Sequence, residues 1–279
     1  MMKAAEILGV DDVVFVEPQF SVLPDPRYND TLTLAGGDEG RLLLDELEEP
    51  IALAFKNGDC WVTGSFLNRN PTAFLIEKFE NVNGEIYQED RAVWAAAVRE
   101  YFSLALKAEV TPSIEDLNPK RRGIITDLIR RTWGTGNGET CIDACCGSGV
   151  GSLVLRDLGY TPLSFDNDPA LLSLGLSTGR LLPEETMWID AMKVSQFTAA
   201  VPRGIGIMMG EINSFSQEMW QQIVSELFAV TEDTLITVGT EPEARIIGDW
   251  GEGLGRTVEI SENPADPIYD IWVCRSKKA

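Results

Sequence analysis

The chain has 279 residues, of which 44% are hydrophobic and 24% are charged, as expected for one large or two modest globular domains. Its 23 Lys and Arg against 44 Asp and Glu give a net charge of −21, which disfavours a nucleic-acid partner because an acidic surface repels phosphate backbones. The sequence contains no histidine, so Ser-His-Asp and Cys-His catalysis are excluded within this chain.

Cysteine usage and hydropathy indicate the cellular setting. The cysteines form no regular framework, which favours a reduced compartment, and their spacing does not match a zinc site. They are Cys60, Cys141, Cys145, Cys146 and Cys274. No apolar run approaches the ~18 residues that span a bilayer, and the N-terminus lacks the features of a signal peptide. The sequence therefore predicts an acidic cytoplasmic protein that binds neither a metal nor a membrane.

Residues 1–112 predict a small N-terminal α+β domain. Asn57-Gly58 predicts a tight hairpin, because this pair supplies the positive φ angles of a type I′ turn. A second strand pair is expected around Asn83-Gly84. The four strands would be Ile51–Lys56, Cys60–Thr63, Ala73–Phe79 and Glu85–Tyr87. A long helix follows, with Asp90 as its N-cap and its end near Lys107.

Residues 113–279 predict a second, α/β domain. Thr111–Ser113 and Asn118-Pro119 interrupt the helical pattern, and we expect the boundary there. The predicted helices are Ile124–Trp133, Gly149–Leu158, Ala170–Thr178, Gln217–Val230 and Pro242–Trp250. The predicted strands are Thr140–Ala144, Pro162–Phe165, Thr186–Ile189, Gly204–Met209, Thr234–Val238, Arg256–Ile260 and Tyr269–Cys274. Alternating strands and helices favour a mostly parallel, doubly wound sheet with helices on both faces. The last two strands lack a helix between them and should pair antiparallel.

Three successive strands of this domain end in acidic residues. Asp143 precedes a small-residue loop, Cys145–Gly149, whose glycines allow a ligand to approach the backbone closely. Asp166 and Asn167 follow the next strand, where a carboxylate can accept both hydroxyls of a ribose. Asp190 and Ala191 follow the third, where a carboxylate can accept from an adenine amine. Because the carboxyl ends of parallel strands share one edge, we expect these residues to form one ligand site.

Together these three segments resemble the motifs of class I S-adenosylmethionine-dependent methyltransferases, over about residues 120–279. The resemblance implies a Rossmann-like fold with a closing antiparallel hairpin and S-adenosyl-L-methionine as cofactor. It implies that Asp143 organises the loop, that the loop faces the methionine part of the cofactor, and that Asp166 and Asp190 bind ribose and adenine. The cofactor-binding residues would be Asp143, Cys145, Gly147, Ser148, Gly149, Asp166, Asn167, Asp190 and Ala191. Cys145 stands where many members carry a glycine.

The acceptor and the catalytic residues are left open by the sequence. Met209–Asn213 lacks the Asn-Pro-Pro-Tyr box of several nucleic-acid and amide methylating branches, which disfavours methylation of adenine N6 and glutamine N5. Glu211 follows the fourth strand, near where substrate would lie in this fold, and is the candidate for a catalytic residue that faces the acceptor. Arg122 and Arg130, about two turns apart if they share a helix, are candidates for holding an anionic substrate or the cofactor carboxylate, and the alternative is that they pair with the acidic surface. We expect a small-molecule or protein acceptor, selected by an N-terminal domain that recognises the substrate or covers the site.

Two other functions remain open at this point. One is a nicotinamide-dependent oxidoreductase, although its third glycine would fall at Ser152. The other is a non-catalytic protein that binds S-adenosylmethionine. Cys145 and Cys146 lie near a helix N-terminus, so a redox or nucleophilic role stands beside simple packing.

Overall fold

The structure is a computed structural model that describes residues 3–114 and 118–279. Residues 1, 2 and 115–117, which belong to the two predicted domains, lie outside this description. The chain divides into one unit that ends at Ala105 and another that begins at Leu106. The sequence predicts the boundary between residues 112 and 113. Within the described residues, no helix has the length and apolar character needed to cross a membrane.

The first unit is built on a five-stranded sheet. Its strands are β1 (Val13–Phe15), β2 (Glu39–Leu44), β3 (Pro50–Asn57), β4 (Cys60–Ser65) and β5 (Asn83–Gln88). Its helices are α1 (Lys3–Ile7), α2 (Arg27–Leu34), α3 (Ala73–Glu80) and most of α4 (Arg91–Glu109). The strand order is β1-β4-β3-β2-β5, with parallel pairs at both edges and antiparallel pairs between them. The first unit therefore has the α+β character that the sequence predicts for this segment.

Two local predictions for this unit have different outcomes. The hairpin is confirmed, with Gly58 at a φ of 63° between β3 and β4. The predicted type I′ turn at Asn57-Gly58 is wrong, because Asn57 still belongs to β3 and pairs with Cys60, and of these two residues only Gly58 has a positive φ. The strand predicted over Ala73–Phe79 is wrong, because this segment forms helix α3. Thr72 caps α3 by accepting a hydrogen bond from the backbone of Leu75, and Leu75 and Phe79, four residues apart, both face the core. Strand β5 consequently pairs with β2, in parallel.

The second unit is built on a seven-stranded sheet. Its strands are β6 (Thr140–Ala144), β7 (Thr161–Asp166), β8 (Thr186–Trp188), β9 (Val201–Gly206), β10 (Thr231–Val238), β11 (Arg256–Glu262) and β12 (Trp272–Lys278). Its helices are α5 (Arg121–Trp133), α6 (Val150–Asp157), α7 (Pro169–Thr178), α8 (Gln217–Ala229) and α9 (Glu241–Gly253). The strand order is β11-β12-β10-β9-β6-β7-β8. Strands β6 to β10 run parallel, and β12 pairs antiparallel with both of its neighbours, so the predicted fold class is confirmed.

Helices cover both faces of this sheet. Helices α5 and α6 pack against one face, where Ile129, Val154, Ile205 and Val273 share a buried cluster. Helix α9 packs on the opposite face. A Cβ added at Gly251 of α9 would lie 3.4 Å from Ser276 Oγ in β12, so α9 lies on the side of the sheet that Ser276 faces. Because successive side chains of a strand point to opposite faces, Ser276 and Val273, three positions apart, face opposite sides. The two layers bury the middle of each parallel strand and leave the carboxyl ends at the edge of the sheet.

Several strand ends differ from their predicted positions, and two of these differences lie near the carboxyl ends of the parallel strands. Strand β9 stops at Gly206 rather than Met209, because the chain turns at Met208, which has a φ of 61°. Strand β12 starts at Trp272 rather than Tyr269. Here the Oδ1 atom of Asp266 accepts hydrogen bonds from the backbone N–H groups of Ile268 and Tyr269, which hold this segment as a loop. Both differences lie at the carboxyl edge of the parallel strands.

Candidate functional site

The loop between β6 and α6 is a tight turn of small residues. Cys145, Gly147 and Gly149 have φ angles of 51°, 54° and 83°, so alternate residues adopt the left-handed conformation. The N–H of Cys146 donates to the carbonyl of Phe165 in β7 at 3.0 Å, which ties the loop to the neighbouring strand. A Cβ added at Gly147 would meet only Leu171, at 4.0 Å, so the space beside this glycine is open to a ligand.

Cys145 adopts the left-handed conformation that glycine adopts most readily. This explains why many methyltransferases that the sequence resembles carry a glycine where this chain has Cys145. A non-glycine residue in this conformation costs about 1–2 kcal/mol. Burial raises the pKa of the Cys145 thiol to about 12, and it raises the pKa of Cys146 as well. A protonated thiol is a poor nucleophile, so these pKa values disfavour a redox or nucleophilic role and favour packing.

Asp143 lies at the end of β6, behind the loop, with 1% of its surface exposed. Its Oδ2 atom accepts a hydrogen bond from Ser152 Oγ at 2.6 Å, and Ser152 Oγ lies 2.7 Å from Ser164 Oγ. Burial raises the pKa of Asp143 from 3.8 to about 7, against the opposing effect of the hydrogen bonds from Ser152. A Cβ added at Gly151 would lie 2.8 Å from both carboxylate oxygens, so this glycine is what lets α6 approach Asp143.

Asp166 lies at the end of β7 and joins the same loop from the other side. Its carboxylate accepts hydrogen bonds from the N–H of Gly147 and from the N–H of Asp168, both at 2.8 Å. Burial raises the pKa of Asp166, and these two hydrogen bonds oppose the rise. Each carboxylate oxygen has two lone pairs, so acceptor capacity remains for the hydroxyl groups of a ligand.

A cavity of about 270 Å³ opens at this edge of the sheet. It brings together five of the predicted cofactor-binding residues, namely Asp143, Cys145, Gly147, Ser148 and Asp166. The remaining four lie outside its described lining. Gly149 adjoins Leu181, Asn167 is exposed, and Ala191 is buried. Asp190 is the N-cap of a short 3-10 helix, Ala191–Gln196, and its Oδ1 accepts from the N–H of Met192 at 2.9 Å.

Glu211 and the loop that carries it follow strand β9. The Glu211 side chain is exposed and is outside the described lining of the cavity, whereas Met208, three residues earlier, lines it. The loop is held by Ser216 Oγ, which donates to the Glu211 carbonyl at 2.6 Å, and by Glu243 Oε1, which accepts from the N–H of Ile212 at 2.9 Å. An acceptor role for Glu211 stays a prediction.

The basic residues singled out in the sequence are surface partners of acids. Arg122 lies 2.5 Å from Asp157, and Arg130 lies 3.2 Å from Asp127. Arg121, which is not among the predicted site residues, lines the cavity instead. It lies at the first turn of α5, which the fold brings beside the loop. In the sequence it belongs to the basic run Lys120-Arg121-Arg122, which was a weak signal because such runs are usually solvated.

No protein-family model and no curated protein matches the chain in sequence. The solved structures similar to it include the magnesium protoporphyrin IX methyltransferase of Synechocystis PCC 6803 with bound SAM, at 13% identity and a TM-score of 0.45, covering 66% of this chain and 97% of that one. A TehB-like SAM-dependent methyltransferase of Corynebacterium glutamicum has 18% identity and a TM-score of 0.43, covering 56% and 88%. A protein of Pyrococcus horikoshii described as an RNA methyltransferase has 14% identity and a TM-score of 0.45, covering 64% and 95%. At these identities and scores, the likeness by itself assigns no activity to this chain.

Proposed function

We propose that the second unit binds S-adenosyl-L-methionine and catalyses transfer of its methyl group to an acceptor. The observation that carries the proposal is the pairing of Asp166 with the N–H of Gly147 beside an open cavity at the carboxyl edge of the sheet. A carboxylate at the end of the second strand, next to a glycine loop at the end of the first, is suited to the ribose of a nucleoside ligand. The loop, with Cys145 and Ser148 in the cavity wall, would face the methionine part.

The residues of the chain would mainly bind and orient the reactants. The bound cofactor supplies an electrophilic methyl group, and transfer depends on alignment of the acceptor and exclusion of water. Asp143 would fix the loop through Ser152, and Asp166 would fix the ribose. Asp190 would bind adenine with the lone pairs that the N–H of Met192 leaves free. We propose a small-molecule or protein acceptor, selected with the help of the first unit, because the net charge of −21 disfavours a nucleic acid.

Ser152 weighs against the oxidoreductase alternative. A dinucleotide-binding loop that starts at Gly147 would need a third glycine at this position for close packing of helix on strand. Ser152 is buried here, and its hydroxyl lies between Asp143 and Ser164. The Ser152 side chain therefore takes part in the hydrogen bonds that hold Asp143 behind the loop, and a glycine could not replace it in this role.

Calorimetry with the full chain tests the proposal. We expect micromolar binding of S-adenosylmethionine and S-adenosylhomocysteine and no binding of NAD. Tight binding of NAD with no response to either sulfur compound would contradict the assignment. A screen of metabolite and protein acceptors with methyl-labelled cofactor then separates an enzyme from a protein that only binds the cofactor, since only the enzyme produces labelled product.

A further inference from the structure

Arg121, which lines the cavity, forms an ion pair with Asp270, a buried residue outside the described lining. Arg121 Nε lies 3.5 Å from Asp270 Oδ2, and the side chains are 18% and 0% exposed. Within the described part of the chain, neither of these two atoms has a hydrogen-bond partner. Burial of charged groups without hydrogen bonds is costly, so Asp270 compensates the charge at Nε only in part. The Arg121 side chain is 18% exposed, and an anion in the cavity would add hydrogen bonds to the rest of its guanidinium.

The other oxygen of Asp270 supports a second part of the cavity wall. Thr237 Oγ donates to Asp270 Oδ1 at 2.6 Å and accepts from the N–H of Met208 at 2.7 Å. Met208 lines the cavity and has the left-handed backbone conformation, which needs support because it is costly for a residue with a side chain. One buried carboxylate thus connects Arg121 on α5 with the turn that follows β9.

The position of Asp270 is itself fixed by the loop between β11 and β12. Its carbonyl accepts from Asn263 Nδ2 at 3.0 Å, and the N–H of Asn263 donates to the carbonyl of Ile271 at 2.7 Å. The ring of Tyr269 lies under the guanidinium of Arg121, with 5.2 Å between Cζ and the ring centroid. The guanidinium is therefore held by a charge at Nε and by an aromatic face.

Resting on the proposed function, we propose that Asp270 is a positioning residue, which orients Arg121 to bind the carboxylate of the methyl donor and supports Met208 through Thr237. Arg121 is the one cationic residue among the described residues that line the cavity, whereas Asp143 and Asp166 are acidic. A planar guanidinium offers several donors to a carboxylate in a fixed geometry. The cavity thus offers the carboxylate of Asp166 to the hydroxyl groups of a ligand and the guanidinium of Arg121 to an anionic group of the same ligand.

The test compares binding of S-adenosylmethionine with binding of its decarboxylated analogue, which differs by one carboxylate. With Arg121→Gln we expect the affinity for S-adenosylmethionine to fall about 10-fold or more, the scale of a lost hydrogen bond to a charged group, and the affinity for the analogue to change less than about two-fold. Arg122→Gln is the matched control, because it removes a neighbouring arginine that pairs with exposed Asp157. It should leave both affinities unchanged.

Asp270→Asn tests positioning separately from binding. It keeps an acceptor for Thr237 but removes the charge that faces Arg121, so we expect the preference for S-adenosylmethionine over the analogue to fall about 3- to 10-fold. The double variant Asp270→Asn/Arg121→Gln should show the same preference for S-adenosylmethionine over the analogue as Arg121→Gln alone, because the two residues act through one interaction. Should Asp270→Asn fail to fold, Arg121→Lys is the variant to measure. Its preference for S-adenosylmethionine over the analogue should lie between the preference of the wild type and that of Arg121→Gln.

The outcomes separate this inference from the function on which it rests. If neither compound binds the wild-type chain, the proposed function fails and the inference fails with it. If both bind and Arg121→Gln leaves their ratio unchanged, the inference alone is overturned. Tighter binding of S-adenosylmethionine by Asp270→Asn would show that Asp270 competes with the ligand for Arg121, and it would overturn the positioning role.

Discussion

The raised pKa of Asp143 makes stability depend on pH in a way that one substitution should remove. The rise from 3.8 to about 7 corresponds to roughly 4 kcal/mol, at ~1.4 kcal/mol for each pH unit. Below pH 3.8 the carboxyl is protonated in both states, and the native state has its full stability. Between pH 3.8 and about 7 only the unfolded state loses the proton, so the free energy of unfolding falls as pH rises. Above pH 7 this contribution changes no further.

Asp143→Asn removes the titrating group and keeps the shape of the side chain. We therefore expect the variant to gain up to roughly 4 kcal/mol relative to wild type between pH 4 and pH 8, as measured by urea unfolding. Infrared difference titration should show the protonated carboxyl band of wild type disappearing near pH 7. Asp127→Asn, which removes one exposed carboxylate of the same unit, is the control for net charge. A stability difference between wild type and Asp143→Asn that stays constant over this range would refute the reasoning.

Two further substitutions test the site in different ways. Asp166→Ala should weaken binding of S-adenosylhomocysteine by about 1–3 kcal/mol, and unchanged affinity in a folded variant would exclude the ribose role. Gly151→Ala should destabilise the chain by about 1–3 kcal/mol in urea unfolding, because the new Cβ would lie 2.8 Å from both carboxylate oxygens of Asp143. Gly123→Ala, a helical position with open space around it, should instead stabilise by up to about 1 kcal/mol. Equal effects of the two glycine substitutions would contradict the close approach of α6 to Asp143.

Local signals in the sequence predicted much of the fold. The Asn57-Gly58 pair correctly predicted a hairpin, in which Gly58 supplies the positive φ of the turn, and the alternation of strands and helices predicted the parallel sheet. Helix α3 was missed because its short apolar run fits a strand as well as a helix, and length and flanking residues are what distinguish the two. The cap at Thr72 was the available signal, since its side chain accepts from the backbone three residues later.

The candidate site was predictable only where its residues belong to consecutive strands. Asp143 and Asp166 lie at the ends of the neighbouring strands β6 and β7, so the topology places both at one edge of the sheet. Arg121 and Asp270 are 149 positions apart in the sequence, and their contact depends on where the helix before β6 and the loop before β12 come to lie. No periodicity or spacing within either segment carries that information.

The insertion of β12 between β10 and β11 has a consequence for folding during synthesis. Strand β11 pairs with β12 and lies at the edge of the sheet, so it has no strand to join while residues 272–278 are still being translated. Strands β6 to β10 need no later segment as a partner, because they pair with one another and all precede β11 in the chain. The nascent chain therefore carries the open side of β10, with Ile236 and Val238 unpaired on that side, until translation reaches the end of β12.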